Sequence, residues 1–267
     1  MQLNGRWALV TGASSGLGRE MARDLAYRHG SNVVLVARRE ERLKELQQEL
    51  NARGVESDII VADLSNRDDV ERVFDAATTK RDIYAVVLNA GVTHFGEHRD
   101  LSWDAFESML ATNVTSTVRL TNHFVPYLVE RNQGGGLMLV TSMTGLVPTP
   151  YQAAYSGTKA FLTTFGQALY HELARENVSL TTFAPGGILT EFGENNGLND
   201  SFGNTIQMMP ANDCARMGID AMMTRRDLAI PGMFNQLQLM LGQIFPRKLV
   251  GTVVAQAYRR ALTSRQS

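Results

Sequence analysis

The chain has a single cysteine, Cys214, in 267 residues. That excludes an internal disulfide framework and fits a reducing compartment, so the cytoplasm is the expected location. Net charge is almost absent. The 26 Lys and Arg stand against 27 Asp and Glu, a formal −1 that argues against a dedicated nucleic-acid binder. No uncharged apolar run reaches the roughly 18 residues of a membrane-spanning helix. The opening MQLNGRWALV lacks a basic region followed by a long apolar core, and no secretory leader is expected. His94, His98, His123 and His171 show no metal-ligand spacing, so no metal is expected. No repeat, low-complexity tract or linker interrupts the chain before about Glu191.

What is present is ordered by type. At 44% hydrophobic content the chain can bury a sizeable core. Short β-branched runs occur at ALVTG, NVVLVA, SDIIVA, IYAVVLNA, GLMLVTS and VSLTTFAP, with longer stretches of helical spacing between them. The runs are continuously apolar rather than alternating, as strands are when helices cover both faces of their sheet. Strand and helix in alternation predict an α/β protein with a parallel, doubly wound sheet and right-handed crossovers.

In such a sheet a ligand binds at the carboxyl ends of the strands, beside the helix that follows the first one. The stretch WALVTGASSGLGREMA, Trp7 to Ala22, stands at that place. Gly12, Gly16 and Gly18 would let the backbone turn tightly and approach a diphosphate, and the next helix would offer its N-terminal N–H groups to the anion. The spacing is Gly-x3-Gly-x-Gly, not Gly-x-Gly-x-x-Gly. Taken alone, the loop is equally well explained as a strand-to-helix turn with glycines at strained torsions.

Further stretches decide between these readings. TGASSGLG resembles the glycine signature of the short-chain dehydrogenase/reductase family, and other segments are similar to that family in the same order. They are ADLS at Ala62–Ser65, NAG at Asn89–Gly91, Asn113 in ATNVTS, Ser142 in VTSMTG, YSGTK at Tyr155–Lys159 and PGGILT at Pro185–Thr190. The resemblance covers about Leu3 to Thr190. It implies a Rossmann-type sheet in one domain, with residues 1–190 as dinucleotide-binding and catalytic core. Residues 191–267 would supply a substrate lid, the last strand and C-terminal helices.

The resemblance also implies roles. Tyr155 would be the general acid/base, Ser142 would bond the substrate oxygen, Lys159 would hold the nicotinamide ribose, and Asn113 would place a water for proton relay. Ser14, Ser15 and Leu17 would complete the phosphate loop, Asp63 and Leu64 would flank the adenine, and Asn89, Ala90 and Gly91 would support loop and ribose. Pro185, Gly186, Ile188 and Thr190 would meet the carboxamide side. Tyr155 and Lys159, four apart, share one face of a helix. A phenol has a pKa near 10, and lowering it by about three units requires about 4 kcal/mol. A lysine ammonium about 4 Å away supplies a similar amount at an effective dielectric near 20.

The dinucleotide is a question of charge. NAD sites usually place Asp or Glu at the end of the second strand, where it accepts a hydrogen bond from the ribose 2′-hydroxyl. Here VVLVARREERL has Ala37 and then Arg38 and Arg39. A guanidinium pairs with a 2′-phosphate in a bidentate fashion, whereas a carboxylate repels it, so Arg38 predicts NADP(H). Arg39 is expected to be no more than part of a solvated first helical turn. Ser15 stands where some family members carry a second basic residue.

After Thr190 comes EFGENNGLNDSFGNTIQMMP, seeded with Phe192, Leu198, Phe202, Ile206, Met208 and Met209 and expected to be a mobile lid over an apolar substrate. In the tail, Phe234, Leu237, Leu241 and Ile244 recur at helical spacing, and Pro246 separates a second apolar helix. From Leu228 to Ser267 there are five basic residues and no acid, which leaves −6 on the rest of the chain. A helix pair closing the substrate site or packing on a partner subunit is expected ahead of membrane contact.

The resulting expectation is an NADP(H)-dependent oxidoreductase interconverting a carbonyl and a secondary alcohol on an apolar small molecule. It would be a homodimer or homotetramer, similar to 3-oxoacyl-carrier-type and general short-chain ketoreductases. Two alternatives stand beside it: an NAD-dependent alcohol or steroid dehydrogenase, and a non-catalytic dinucleotide-sensing protein.

Overall fold

A computed structural model describes residues 1–191 and 208–264. The six apolar runs form β1 (Trp7–Thr11), β2 (Asn32–Ala37), β3 (Ser57–Val61), β4 (Ile83–Leu88), β5 (Gly136–Val140) and β6 (Ser179–Phe183). A seventh strand, β9 (Leu228–Ala229), completes a parallel sheet in the order β3-β2-β1-β4-β5-β6-β9. Two further short strands, β7 (Ile188–Leu189) and β8 (Met209–Pro210), pair with each other beyond its edge.

The helices are α1 (Gly16–His29), α2 (Glu40–Asn51), α3 (Arg67–Thr78), α4 (Trp103–Leu110), α5 (Ser116–Arg131), α6 (Ala153–Glu172), α7 (Ala211–Met223), α8 (Met233–Ile244) and α9 (Arg247–Ser264). They cover both faces, as the continuous burial of β1, β4 and β5 requires. One core joins α1, α2 and α7 to the sheet through Met21, Leu25, Leu43, Ile219 and Phe183. The other joins α3, α5 and the outer side of α6 through Val70, Val73, Leu120, Phe124 and Leu180. Because α7 and β9 belong to the same sheet and core as β1 to β6, the segment after residue 208 is part of the one domain.

The order turns back between β1 and β4, the place where such a sheet opens a crevice at its carboxyl edge. Thr11, the last residue of β1, fixes that opening. Its hydroxyl accepts hydrogen bonds from the N–H groups of Asn89 (2.9 Å) and Ala90 (3.0 Å), while Asn89 Nδ2 donates to the Thr11 carbonyl (3.0 Å). The loop after β4 is thereby held against the glycine loop after β1. Gly12 turns there at φ +69°, and the strained-torsion reading of the glycines is correct for it. Gly18 serves another purpose: a Cβ there would lie 2.4 Å from both the Gly12 carbonyl oxygen and Asn89 Nδ2. It lets α1 close on the two loops and does not itself line the crevice.

Candidate active site

A cavity of about 1040 Å³ opens at this crevice. Its walls include every residue expected at the site except Gly18 and Asn113: from the glycine loop to Leu17, then Arg38, Asp63, Leu64 and Asn89–Gly91, and on to Ser142, Tyr155, Lys159, Pro185, Gly186, Ile188 and Thr190. The expected lid, Phe192 to Gln207, lies outside the described residues; Met208 lines the cavity.

One end suits a phosphate group. Helices α3 and α4 are capped by the side chains of Asn66 and Ser102, which accept from first-turn N–H groups, whereas Ser15 before α1 makes no such bond. The first turn of α1 also carries no acid, unlike those of α2 and α3. Its N–H groups and the positive end of its dipole are therefore left for an anion in the cavity. The Arg38 side chain is 64% exposed and lies 3.7 Å from the Asp63 carboxylate. Arg39 departs from the expectation of a merely solvated turn. Its guanidinium donates to Ser14 Oγ (3.0 Å) and to Ser15 Oγ, and it pairs with Glu191 (3.3 Å). Arg39 thus brings a second positive charge to the glycine loop at the position Ser15 leaves neutral.

The other end holds the titratable groups. Ser142 follows β5 in extended backbone, and its hydroxyl accepts from the N–H of Thr144 (3.2 Å). Tyr155 and Lys159 come from one face of α6, and both are buried. Burial pushes the Tyr155 phenol well above its ordinary range; a hydrogen bond with Ser142 opposes the rise and the nearby Tyr258 adds to it. Lys159 was expected about 4 Å away to lower it. The ammonium lies 5.7 Å from the Tyr155 ring centre and donates instead to the Val140 carbonyl (2.8 Å), and burial lowers its own pKa to about 8.

That burial has a consequence for stability. Below pH 8 the folded and unfolded chains both hold the Lys159 proton, and the full cost of burying the charge, on the order of 3 kcal/mol, is present. Between about 8 and the ordinary value of 10.5, unfolding takes up a proton, so stability rises with pH. The thermal midpoint should climb from pH 8 towards 10, and the climb should be missing in Lys159→Met. If both proteins show the same pH profile across that window, the lysine is not the cause. Above pH 10 the raised Tyr155 works in the opposite direction, because the folded chain keeps a proton that the unfolded chain has lost.

Asn113, expected to place a water for proton relay, spends its side chain on contacts within the chain. It sits in a π-helical turn, Ala111–Thr115, and is fully buried behind the cavity wall. Its amide accepts from Val92 N (2.8 Å) and donates to Val92 O (2.9 Å) and Thr158 Oγ1 (3.0 Å). Both N–H donors are used, and what the side chain does is tie the loop after β4 to α6.

The sequence did not single out three other groups at the site. Asn235, from α8, is buried in the cavity wall and donates to the Pro231 carbonyl (2.7 Å). Gln152 donates to Thr93 (3.1 Å) and accepts from Tyr258 of α9 (3.4 Å), which places a second, half-buried phenol near Tyr155. The C-terminal helices add an apolar stretch of wall, with Leu239, Leu241 and Phe245 from α8 and its end, and Val250 and Val254 from α9. Among the described residues no group of three metal-ligating side chains comes together, and no helix is long and apolar enough to cross a membrane.

A doubly wound parallel sheet, an uncapped helix N-terminus at its switch point and a buried Tyr–Lys pair across one cavity define a nucleotide-binding oxidoreductase. Residues 6–200 match the family described as short chain dehydrogenase, and the chain belongs to that family, whose members bind a nicotinamide dinucleotide. The chain is 33% identical over 187 residues to a 7beta-hydroxysteroid dehydrogenase of Mediterraneibacter gnavus, which covers 70% of each. It is equally 33% identical over 184 residues to a human protein named inactive hydroxysteroid dehydrogenase-like protein 1, covering 68% of this chain and 55% of that one. A solved 7beta-hydroxysteroid dehydrogenase structure superposes with a TM-score of 0.85 at 25% identity, over 96% of this chain and all of the other. Structures of similar fold hold NAD in one case and NADPH in another.

Proposed function

We propose that the protein is an NADP(H)-dependent oxidoreductase that interconverts a ketone and a secondary alcohol on a lipophilic ring or acyl substrate. The observation that carries this is one continuous cavity with three kinds of wall. Arg38, Arg39 and the N-terminus of α1 line one part and would meet phosphate groups, Ser142 and Tyr155 line a second and would meet the reacting oxygen, and α8 and α9 line a third that would meet apolar substrate. When bound, the dinucleotide supplies or accepts the hydride.

The chain's own residues handle the proton and the position. Tyr155 keeps its proton across the neutral range, so it donates to the carbonyl oxygen as the alcohol forms and recovers the proton in the reverse direction. Ser142 holds the same oxygen by a hydrogen bond. Lys159 sets a positive charge behind Tyr155 near neutral pH and is anchored there by Val140. Asn113 acts as a positioning residue through Val92.

The test is dinucleotide absorbance with a panel of ketones and secondary alcohols, steroid and acyl compounds included. Turnover with NADPH that rises with substrate apolarity is expected. Tight dinucleotide binding without turnover on any member would favour the sensing alternative, for which the similarity to a protein named inactive gives a reason. Against that alternative, Ser142, Tyr155 and Lys159 are all present around the one cavity.

A further inference from the structure

Helix α8 carries an apolar face turned away from the protein. Asn235 and Leu239 are buried, whereas Met233, Leu237, Met240 and Ile244 are 86, 48, 51 and 69% exposed. At 3.6 residues per turn these four fall within an arc of about 60°. The buried side of an ordinary surface helix has this pattern, here facing solvent. Leu249 and Val253 of α9 are also exposed, and both line the cavity. A contiguous outward apolar patch of this kind marks an interaction surface.

Its charge identifies the partner. Arg247 and Lys248 stand exposed at the corner between α8 and α9, and among the described residues neither is ion-paired. They belong to the acid-free segment that carries five of the chain's basic residues. A two-fold contact with a second copy would set two such segments against each other. An anionic lipid surface complements both features, because it offers acyl chains to the strip and phosphates to the corner.

We propose that the α8–α9 face docks on an anionic membrane, with α8 lying in the interface and the cavity mouth opening towards the lipid. Docking stands on the surface alone; the corollary that an apolar substrate enters from the bilayer rests on the oxidoreductase reading.

The experiment uses the full chain with vesicles of phosphatidylcholine alone or with one-third phosphatidylglycerol, at low and high salt. Binding to the anionic vesicles is expected to exceed binding to neutral ones at least about tenfold, and to fall with salt because exposed charges are screened beyond about 8 Å at physiological ionic strength. Arg247→Gln with Lys248→Gln should weaken it about tenfold or more. Met240→Asp with Ile244→Asp should abolish it. None of these four residues lines the cavity, so turnover of a small soluble ketone and the melting temperature should stay as in wild type. Wild type that ignores both vesicles overturns the proposal. So does a wild-type dimer that the aspartate pair converts to monomer with no vesicle binding, which would make the face a contact between copies. Soluble-ketone turnover, measured separately, shows whether the oxidoreductase reading stands or falls on its own.

Discussion

Tyr155→Phe should lower kcat at least about a hundredfold while leaving dinucleotide affinity within about twofold. The substitution removes one oxygen from a residue whose ring is buried in α6, so the packing around it persists. What is lost is the proton. Ser142 cannot replace it, because an aliphatic hydroxyl is far too weak an acid, and the Tyr258 phenol is engaged with Gln152. A residue with only a structural role would move the melting temperature and the affinity together, whereas the acid/base role moves kcat alone. The checks are steady-state turnover, titration of the dinucleotide against intrinsic fluorescence, and a melting curve. Residual turnover above about a tenth of wild type would sink the assignment of Tyr155.

The second large effect concerns the dinucleotide. Arg38→Asp should lower kcat/KM with NADPH at least about tenfold and raise it with NADH, inverting the preference. The wild-type guanidinium is mostly exposed beside Asp63, so it can turn to a 2′-phosphate with little reorganisation. The aspartate takes that partner away and sets a like charge in its place, while it can accept from a 2′-hydroxyl. Arg39→Ala should act in the same direction but more weakly, since its guanidinium is already held by Ser14, Ser15 and Glu191. A wild-type protein that prefers NADH from the outset would show the arginine argument to be wrong.

The sheet was legible because its six long strands are mostly apolar with no regular alternation, the pattern expected when helices cover both faces. Strand β9 was not located, since Leu228–Ala229 is too short to show a period. Within the site, the glycine loop, Ser142, Tyr155 and Lys159 could be found from spacing and family resemblance, because each belongs to a local motif. The contacts of Arg39 and Asn113 could not be read from the sequence because they are tertiary. Arg39 reaches residues 24 and 25 positions away, and Asn113 holds a backbone 21 positions away. Tyr258 meets Gln152 across 106 residues, and no periodicity announces such a pair. The tail shows a subtler limit. Its apolar spacing at Phe234, Leu237, Leu241 and Ile244 was plain, but periodicity states that a helix has two sides and not which of them the core will occupy. Asn235 and Leu239, on the other side, proved to be the anchors.

That anchoring makes α8 a nearly separate body. It begins after Gly232 at φ +84° and is separated from α9 by Pro246. Only two of its side chains, Asn235 and Leu239, are buried among those described, whereas α6 buries Tyr155, Thr158, Lys159, Leu162, Thr163 and Gly166 along its length. Opening free energy follows the apolar contact that must be broken, so α8 can detach while the sheet and α6 stay folded. The wall that shapes the apolar end of the cavity thus has few buried anchors, and its backbone amides should exchange with solvent long before those around Tyr155. Under the proposed function, the reacting groups would sit on the firmly packed half and the selection of an apolar substrate on the lightly anchored one.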